Sequence, residues 1–157
     1  MIYFYDIDED YVNFLRKFDK QVPHITYNSN NKFVCGIVLD VNGIQYYAPI
    51  SHMTNLQRTN LQIFQHNQPI ATIRFSFMIP AFDAVLTKKD FNTIKLTDAN
   101  YANLLSVEFQ YCKSHIQEIR KKAFQVYKIG CNKNHSLNYA CCDFKKLEQY
   151  YMEYNVV

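Results

Sequence analysis

The dipeptide Asn42-Gly43 constrains the fold more than any other stretch of the chain. Residues 36–41 before it are rich in apolar and β-branched side chains, and residues 44–50 after it read as a return strand. A two-residue type I′ turn requires positive φ at both central positions, which Asn-Gly accepts readily, so the segment is expected to form a tight β-hairpin. Pro49 has no N–H to donate, so the return strand should end near it or run along an edge. Ser51 and His52 follow at once, a hydroxyl and an imidazole at the tip of a rigid arm. Adjacent residues of a regular strand face opposite sides, so a shared role for the two requires irregular backbone past Pro49. Ser51 also reads as the N-cap of a short helix over residues 53–61, and His52 as an ordinary surface histidine.

Around this hairpin the chain divides into a strand-rich part and a helix-rich part, with no internal repeat and no linker, so residues 1–157 are expected to form one domain. Residues 2–5 read as a first strand. Asp6 or Asp8 then caps a helix whose inward face is Tyr11, Phe14, Leu15 and Phe18. Pro23 ends it, and a polar, Asn-rich loop leads to Lys32. After the hairpin, residues 62–66 and 70–77 read as strands joined by a turn at 67–69. That gives five or six antiparallel strands in the first half. Residues 87–91 read as helical. Thr97 or Asp98 starts a long helix over about 98–127, with Tyr101, Leu105, Phe109, Cys112, Ile116, Ile119, Ala123 and Val126 along one face. Asp143 caps a last helix with Phe144 and Leu147 inward.

Composition excludes several classes. No segment approaches the roughly 18–20 apolar residues of a membrane span, and the N-terminus has neither the basic nor the apolar region of a secretory signal. A soluble, cytoplasmic chain is expected. The five cysteines form no CxxC pair and are read as reduced structural thiols. Cys131, His135 and Cys141 match no zinc spacing, so neither metal nor other cofactor is expected. The net charge of +3, from 17 basic and 14 acidic residues, permits an anionic partner without demanding one. The chain has 13 Tyr and 12 Phe with no Trp, a composition suited to stacking surfaces.

Tyr27, Lys32, Ser51 and His52 are the side-chain types needed to cut RNA with its own 2′-hydroxyl. That reaction wants a proton donor and acceptor, groups that hold the phosphorane charge, and a ring on which a splayed base can stack. Histidine can exchange the proton, lysine and serine can hold phosphate oxygens, and tyrosine can stack. These residue types are common, and the same set also fits a non-catalytic RNA-binding module or a protein-interaction domain.

Four stretches in order carry a more specific signal: Lys17-Phe-Asp-Lys-Gln-Val-Pro23, Lys32-Phe-Val-Cys-Gly-Ile-Val-Leu39, Ala48-Pro-Ile-Ser51 and Phe75-Ser-Phe-Met-Ile-Pro80. With their spacing, the chain resembles the ToxN/AbiQ family of type III toxin–antitoxin toxins, in particular its CptN-like branch. The resemblance implies an α+β fold: a compact antiparallel β-barrel-like sheet, similar to Kid/MazF, with surrounding helices. It implies a metal-independent endoribonuclease that leaves a 2′,3′-cyclic phosphate. The implied partners are cellular RNA and an RNA antitoxin of pseudoknot repeats, bound in basic grooves to close a ring of toxin and RNA. Carried residue by residue, the family's active-site positions fall on Tyr27, Lys32 and Ser51. The family signature often continues Thr-Ser-Pro-Lys, whereas this chain has Ser51-His-Met-Thr54, so its lysine is absent and His52 takes the place of the second hydroxyl. His52 is therefore assigned the proton transfer, with Ser51 and Lys32 holding phosphate. The antitoxin groove is expected along Lys88, Lys89, Lys95, Lys113, Arg120, Lys121, Lys122, Lys128 and Lys133, although Arg120-Lys121-Lys122 also reads as a solvated helical turn.

Overall fold

The computed structural model describes residues 1–25 and 32–155. Within them, seven antiparallel strands form one sheet: β1 (Tyr3–Ile7), β2 (Val34–Val41), β3 (Ile44–Ser51), β4 (Asn60–Gln65), β5 (Gln68–Arg74), β6 (Ile79–Pro80) and β7 (Leu86–Lys88). The strand order is β4-β5-β3-β2-β1-β7, and β6 adds to β3 beside β5. The described sheet is curved in sequence order like a barrel but is not closed on itself. Five α-helices accompany it: α1 (Glu9–Arg16), α2 (Phe91–Thr97), α3 (Ala99–Ser114), α4 (Ile116–Cys131) and α5 (Phe144–Tyr150). None of the described helices is long and apolar enough to cross a membrane.

The hairpin that organises the sequence is the centre of the sheet. Asn42 and Gly43 have φ of 53° and 88°, the left-handed values a type I′ turn needs, and the Gly43 amide donates to Asp40 Oδ1 at 2.8 Å. Along β3 the side chains alternate between two environments. Tyr46 packs on Tyr127 of α4 and Phe144 of α5, while Pro49 faces Val12 of α1 together with Phe77 and Ile79. The α3–α4 layer thus covers one side of β3 and α1 the other. Both layers use fully buried aromatic rings, among them Tyr11, Tyr46, Tyr47 and Phe144.

The α3–α4 layer is fixed to α5 by a polar clamp. The Tyr46 and Tyr127 hydroxyls each donate to Glu148 Oε2 at 2.6 Å. Burial, reinforced by that carboxylate, raises both phenols above the ordinary tyrosine range. Glu148→Ala leaves two phenols without their acceptor. At about 1–3 kcal/mol for each of the two stranded groups, the variant should lose roughly 2–6 kcal/mol in urea unfolding. Unfolding at the wild-type midpoint would show that water replaces the carboxylate at no cost.

Four local expectations are corrected. Helix over 98–127 is present but divided at His115, with φ −114° and ψ 24°. No Gly or Pro marks the break. Side chains make it: Ser114 Oγ donates to the Gln110 carbonyl at 2.6 Å, and His115 Nδ1 lies 2.8 Å from the Tyr111 carbonyl with the imidazole stacked on the Tyr111 ring. The helical reading of 87–91 yields to strand and cap. Asp90 accepts from the Asn92 and Thr93 amides and starts α2 at Phe91, which leaves Lys88 to pair with Tyr5. Residues 54–61 form no helix, because side chains take the carbonyls. Gln62 Nε2 donates to Thr54 at 2.8 Å and Asn60 Nδ2 to Asn55 at 3.0 Å. Leu56 is exposed, and Ser51 caps a single local turn by accepting the Met53 amide at 3.2 Å. Finally, the turn between β4 and β5 sits at His66-Asn67, both with positive φ, one residue before the expected position.

Candidate active site

Sheet register brings Lys32 and Ser51 together. Val34 pairs with Pro49, and the Ile50 amide donates to the Phe33 carbonyl at 3.3 Å. Lys32 lies just before β2, at the end of the sheet where β3 finishes. Ser51 in turn pairs with Thr72, and Thr72 with Gln62. Ser51, Thr72 and Gln62 therefore form one row across β3, β5 and β4, where directly opposed side chains share a face. One row along, Arg74 pairs with Asn60 on β4, and its guanidinium lies 4.4 Å from the centre of the Phe77 ring. Phe77 also borders the small cavity that Lys32 and Pro49 line. Two cations thus flank the Ser51 face of the sheet.

The remaining polar members of the row hold the segment after β3 in place. Thr72 Oγ1 donates to the Met53 carbonyl at 3.0 Å, and Gln62 reaches the Thr54 carbonyl. Thr72 itself is buried. These bonds fix the direction in which Ser51 leaves the strand. Nothing in the sequence marks Thr72, Gln62 and Arg74 as site residues, and only the pairing of β5 with β3 and β4 makes them part of the site.

His52 goes the other way. Its side chain leaves the end of β3 on the α3 side, and Nε2 lies 3.4 Å from Glu108 Oε1. The imidazole remains 53% exposed, whereas the Glu108 side chain has no exposed surface. Hydrogen bonding to this carboxylate, partly opposed by burial, raises His52 above the ordinary histidine range. Oε2 of Glu108 has no hydrogen-bond partner among the described residues. A fully buried carboxylate with one oxygen unmatched is costly to keep, and its visible use is to hold the half-exposed imidazole. Glu108 sits on the apolar face of α3, between Leu105 and Cys112, where nothing in the sequence separates it from an outward-facing acid. Ser51 and His52 therefore flank the end of β3 from opposite faces. Tyr27, the fourth candidate, lies outside the described residues.

The basic residues separate into three settings. Lys113 closes α3, and Arg120, Lys121, Lys122 and Lys128 lie on α4, whose inward side is Ile119, Ala123 and Val126. Lys128 places its ammonium 5.0 Å from the exposed Phe124 ring. Lys88 covers Tyr3, with Nζ 3.5 Å from the ring centre. Lys89 turns inward: its side chain is 7% exposed and pairs with Asp6 at 3.0 Å.

Comparison with known proteins agrees with this architecture. Residues 3–152 match the family model described as toxin ToxN of type III toxin–antitoxin systems. The endoribonuclease ToxN of Bacillus thuringiensis subsp. kurstaki is 24% identical over 161 residues, covering 96% of this chain and 83% of that protein. The endoribonuclease AbiQ of Lactococcus lactis subsp. lactis is 26% identical, covering 92% of this chain and 85% of that protein. Among solved structures, a chain from work on selective toxin inhibition by a non-coding RNA pseudoknot superposes with a TM-score of 0.89 at 24% identity, covering 98% of this chain and 97% of that one. The structure of AbiQ, a lactococcal anti-phage endoribonuclease, superposes with a TM-score of 0.86 at 25% identity, covering 98% of both chains. The match to the family model spans nearly all of the sheet and helices described above, and the chain belongs to the ToxN toxin family of type III toxin–antitoxin systems.

Proposed function

We propose that the chain is an endoribonuclease toxin that cuts RNA at the end of β3 without a metal ion. The observation that carries this reading is the Ser51–Thr72 pair, with Lys32 before β2 at the same end and Arg74 one row along, on a sheet face of a ToxN-family chain. A phosphate seated there meets one hydroxyl and two cations. Ser51 donates to a non-bridging oxygen, and Lys32 and Arg74 balance the charge that grows in the phosphorane. Arg74 thereby supplies a second cation where the lysine of the family signature is replaced by Thr54. The 2′-hydroxyl attacks phosphorus and gives up its proton to solvent water as the bond to the 5′-oxygen breaks. His52 gives its proton to the departing 5′-oxygen, leaving a 2′,3′-cyclic phosphate and a 5′-hydroxyl. Glu108 favours the protonated imidazole that this step needs.

Incubating the purified chain with mixed RNA in EDTA tests the reaction. Fragments ending in cyclic phosphate are expected, and RNA retained without fragments would leave only a binding module.

The partner follows from the family and the surface. Type III antitoxins are RNA in the resemblance set out above, and a solved relative comes from work on inhibition by an RNA pseudoknot. The exposed stripe of Lys121, Phe124 and Lys128 on α4, with Arg120, Lys122 and Lys113 beside it, supplies cations and a stacking ring for such an RNA. A ring of alternating toxin and RNA is the assembly proposed. Lys89 is left out of this groove because its ammonium is committed to Asp6. Reversing charge with Lys121→Glu and Lys122→Glu should weaken assembly with the antitoxin by about tenfold or more at physiological salt and lower its salt dependence, while RNA cleavage persists. Unchanged assembly in a gel-shift titration would move the groove elsewhere.

A further inference from the structure

The largest cavity described, about 520 Å³, lies away from the Ser51 row, at the edge of the sheet where β1 and β7 meet α2 and α3. That volume is within the roughly 300–1,000 Å³ of pockets that take small organic groups. Its apolar wall is Phe4, Phe91 and Phe109, with ring centres 5.5 to 6.2 Å apart. Tyr3, also in the lining, lies nearly parallel to Phe109, with planes inclined by 14° and centres 6.5 Å apart. That separation is within the range of aromatic pairs, about 4.5–7 Å. Lys88 brings its ammonium to 3.5 Å from the Tyr3 ring centre, so a cation stands at the mouth. The pocket is therefore lined by aromatic rings, with the exposed Lys88 cation, the Asp90 carboxylate and Asn92 also in its lining.

The pocket also adjoins the reactive end of β3. Phe109, in its wall, follows Glu108, which holds His52. Lys89, also in the wall, places its ammonium 5.5 Å from the ring centre of Tyr101, which lies on the same helix α3 as Glu108. An RNA strand whose phosphate lies beside His52 has a neighbouring nucleotide within reach of this opening.

We infer that the Tyr3–Phe109 pocket receives an unpaired nucleobase within two nucleotides of the cleaved phosphate, with Lys88 meeting that nucleotide's phosphate. The inference rests on the RNA-cleaving reading and adds a subsite that reads the substrate by stacking. A base fits where a peptide side chain does not, because it offers a planar ring to both faces and an anion at a fixed distance from it.

The test uses the full chain and an RNA oligonucleotide selected for cleavage from a randomised pool. Each of the two nucleotides on either side of the cut is replaced in turn by an abasic ribonucleotide, which keeps the backbone charge. One of these positions should raise KM on the order of tenfold, the size expected for loss of one base–aromatic stack. Tyr3→Ala should raise KM by a similar factor on the intact oligonucleotide and add nothing on that abasic one. Lys88→Gln, an exposed change that does not disturb the core, should raise KM less and lower the salt slope by about one. Wild-type KM for both variants on intact RNA overturns the inference, as do penalties that simply multiply. So does a Tyr3→Ala chain altered only in binding a repeat-RNA inhibitor. If the wild-type chain cuts no member of the pool, the RNA-cleaving reading fails first and takes the subsite with it. Normal cutting by the wild type and by both variants alike removes the subsite alone.

Discussion

His52→Ala is expected to slow RNA cleavage by about 10²–10⁴-fold, the contribution of a positioned proton-transfer group. Ser51→Ala is expected to slow it by about 10²–10³-fold, the cost of one donor to a developing oxyanion. Single-turnover rates on a defined oligonucleotide measure both, with far-UV circular dichroism confirming the fold. The two side chains leave β3 on opposite faces, so the comparison decides whether one phosphate is served from both sides. A His52→Ala chain that cuts at the wild-type rate while Ser51→Ala does not would reduce His52 to a surface partner of Glu108. The pH profile adds a sign. An acid works only while protonated, and the Glu108 contact raises His52 above the ordinary histidine range. Wild-type activity should therefore persist through neutral pH and fall as pH rises past that raised value.

Glu108→Leu should separate stability from activity. The native carboxylate is fully buried, has one oxygen without a partner among the described residues, and holds His52 across 3.4 Å. Leucine removes the stranded oxygen and leaves His52 half in water, where losing its partner is inexpensive. A gain of about 1–3 kcal/mol in urea unfolding is expected, in line with replacing buried charge by apolar groups of similar volume. Cleavage should nonetheless fall on the alkaline side of neutrality, because the imidazole loses the carboxylate that keeps it protonated. The alkaline limb of the pH profile should move down accordingly. A less stable variant with an unchanged profile would make Glu108 a packing residue and remove it from the mechanism.

Sequence patterning made the hairpin, its Asn42-Gly43 turn, the Asp8, Asp98 and Asp143 caps and the inward faces of the helices legible, because each rests on neighbours within a few residues. The break at His115 was not legible. It arises from a histidine ring lying on Tyr111 and a serine bonding back one turn, and neither residue type signals a helix end. The site divided in the same way. Lys32 and Ser51 stand out individually, but their closeness depends on the β2–β3 register that pairs Val34 with Pro49. Thr72 and Arg74 joined them only through β5. Glu108 was hidden by its own periodicity, since a charged residue at an apolar helix position looks the same in sequence whether it is solvated at an edge or held against a histidine 56 positions away.

The Glu148 clamp carries a consequence for the order of assembly. Tyr46 lies on the strand that ends in Ser51, and its buried hydroxyl waits for an acceptor contributed by α5. A chain emerging from the ribosome presents β3 about a hundred residues before that acceptor. Until α5 docks, the active strand carries an unmatched phenol and lacks the aromatic cover of Phe144. Synthesis therefore separates the making of β3 from the completion of its packing, which waits for the acceptor and the ring that α5 contributes.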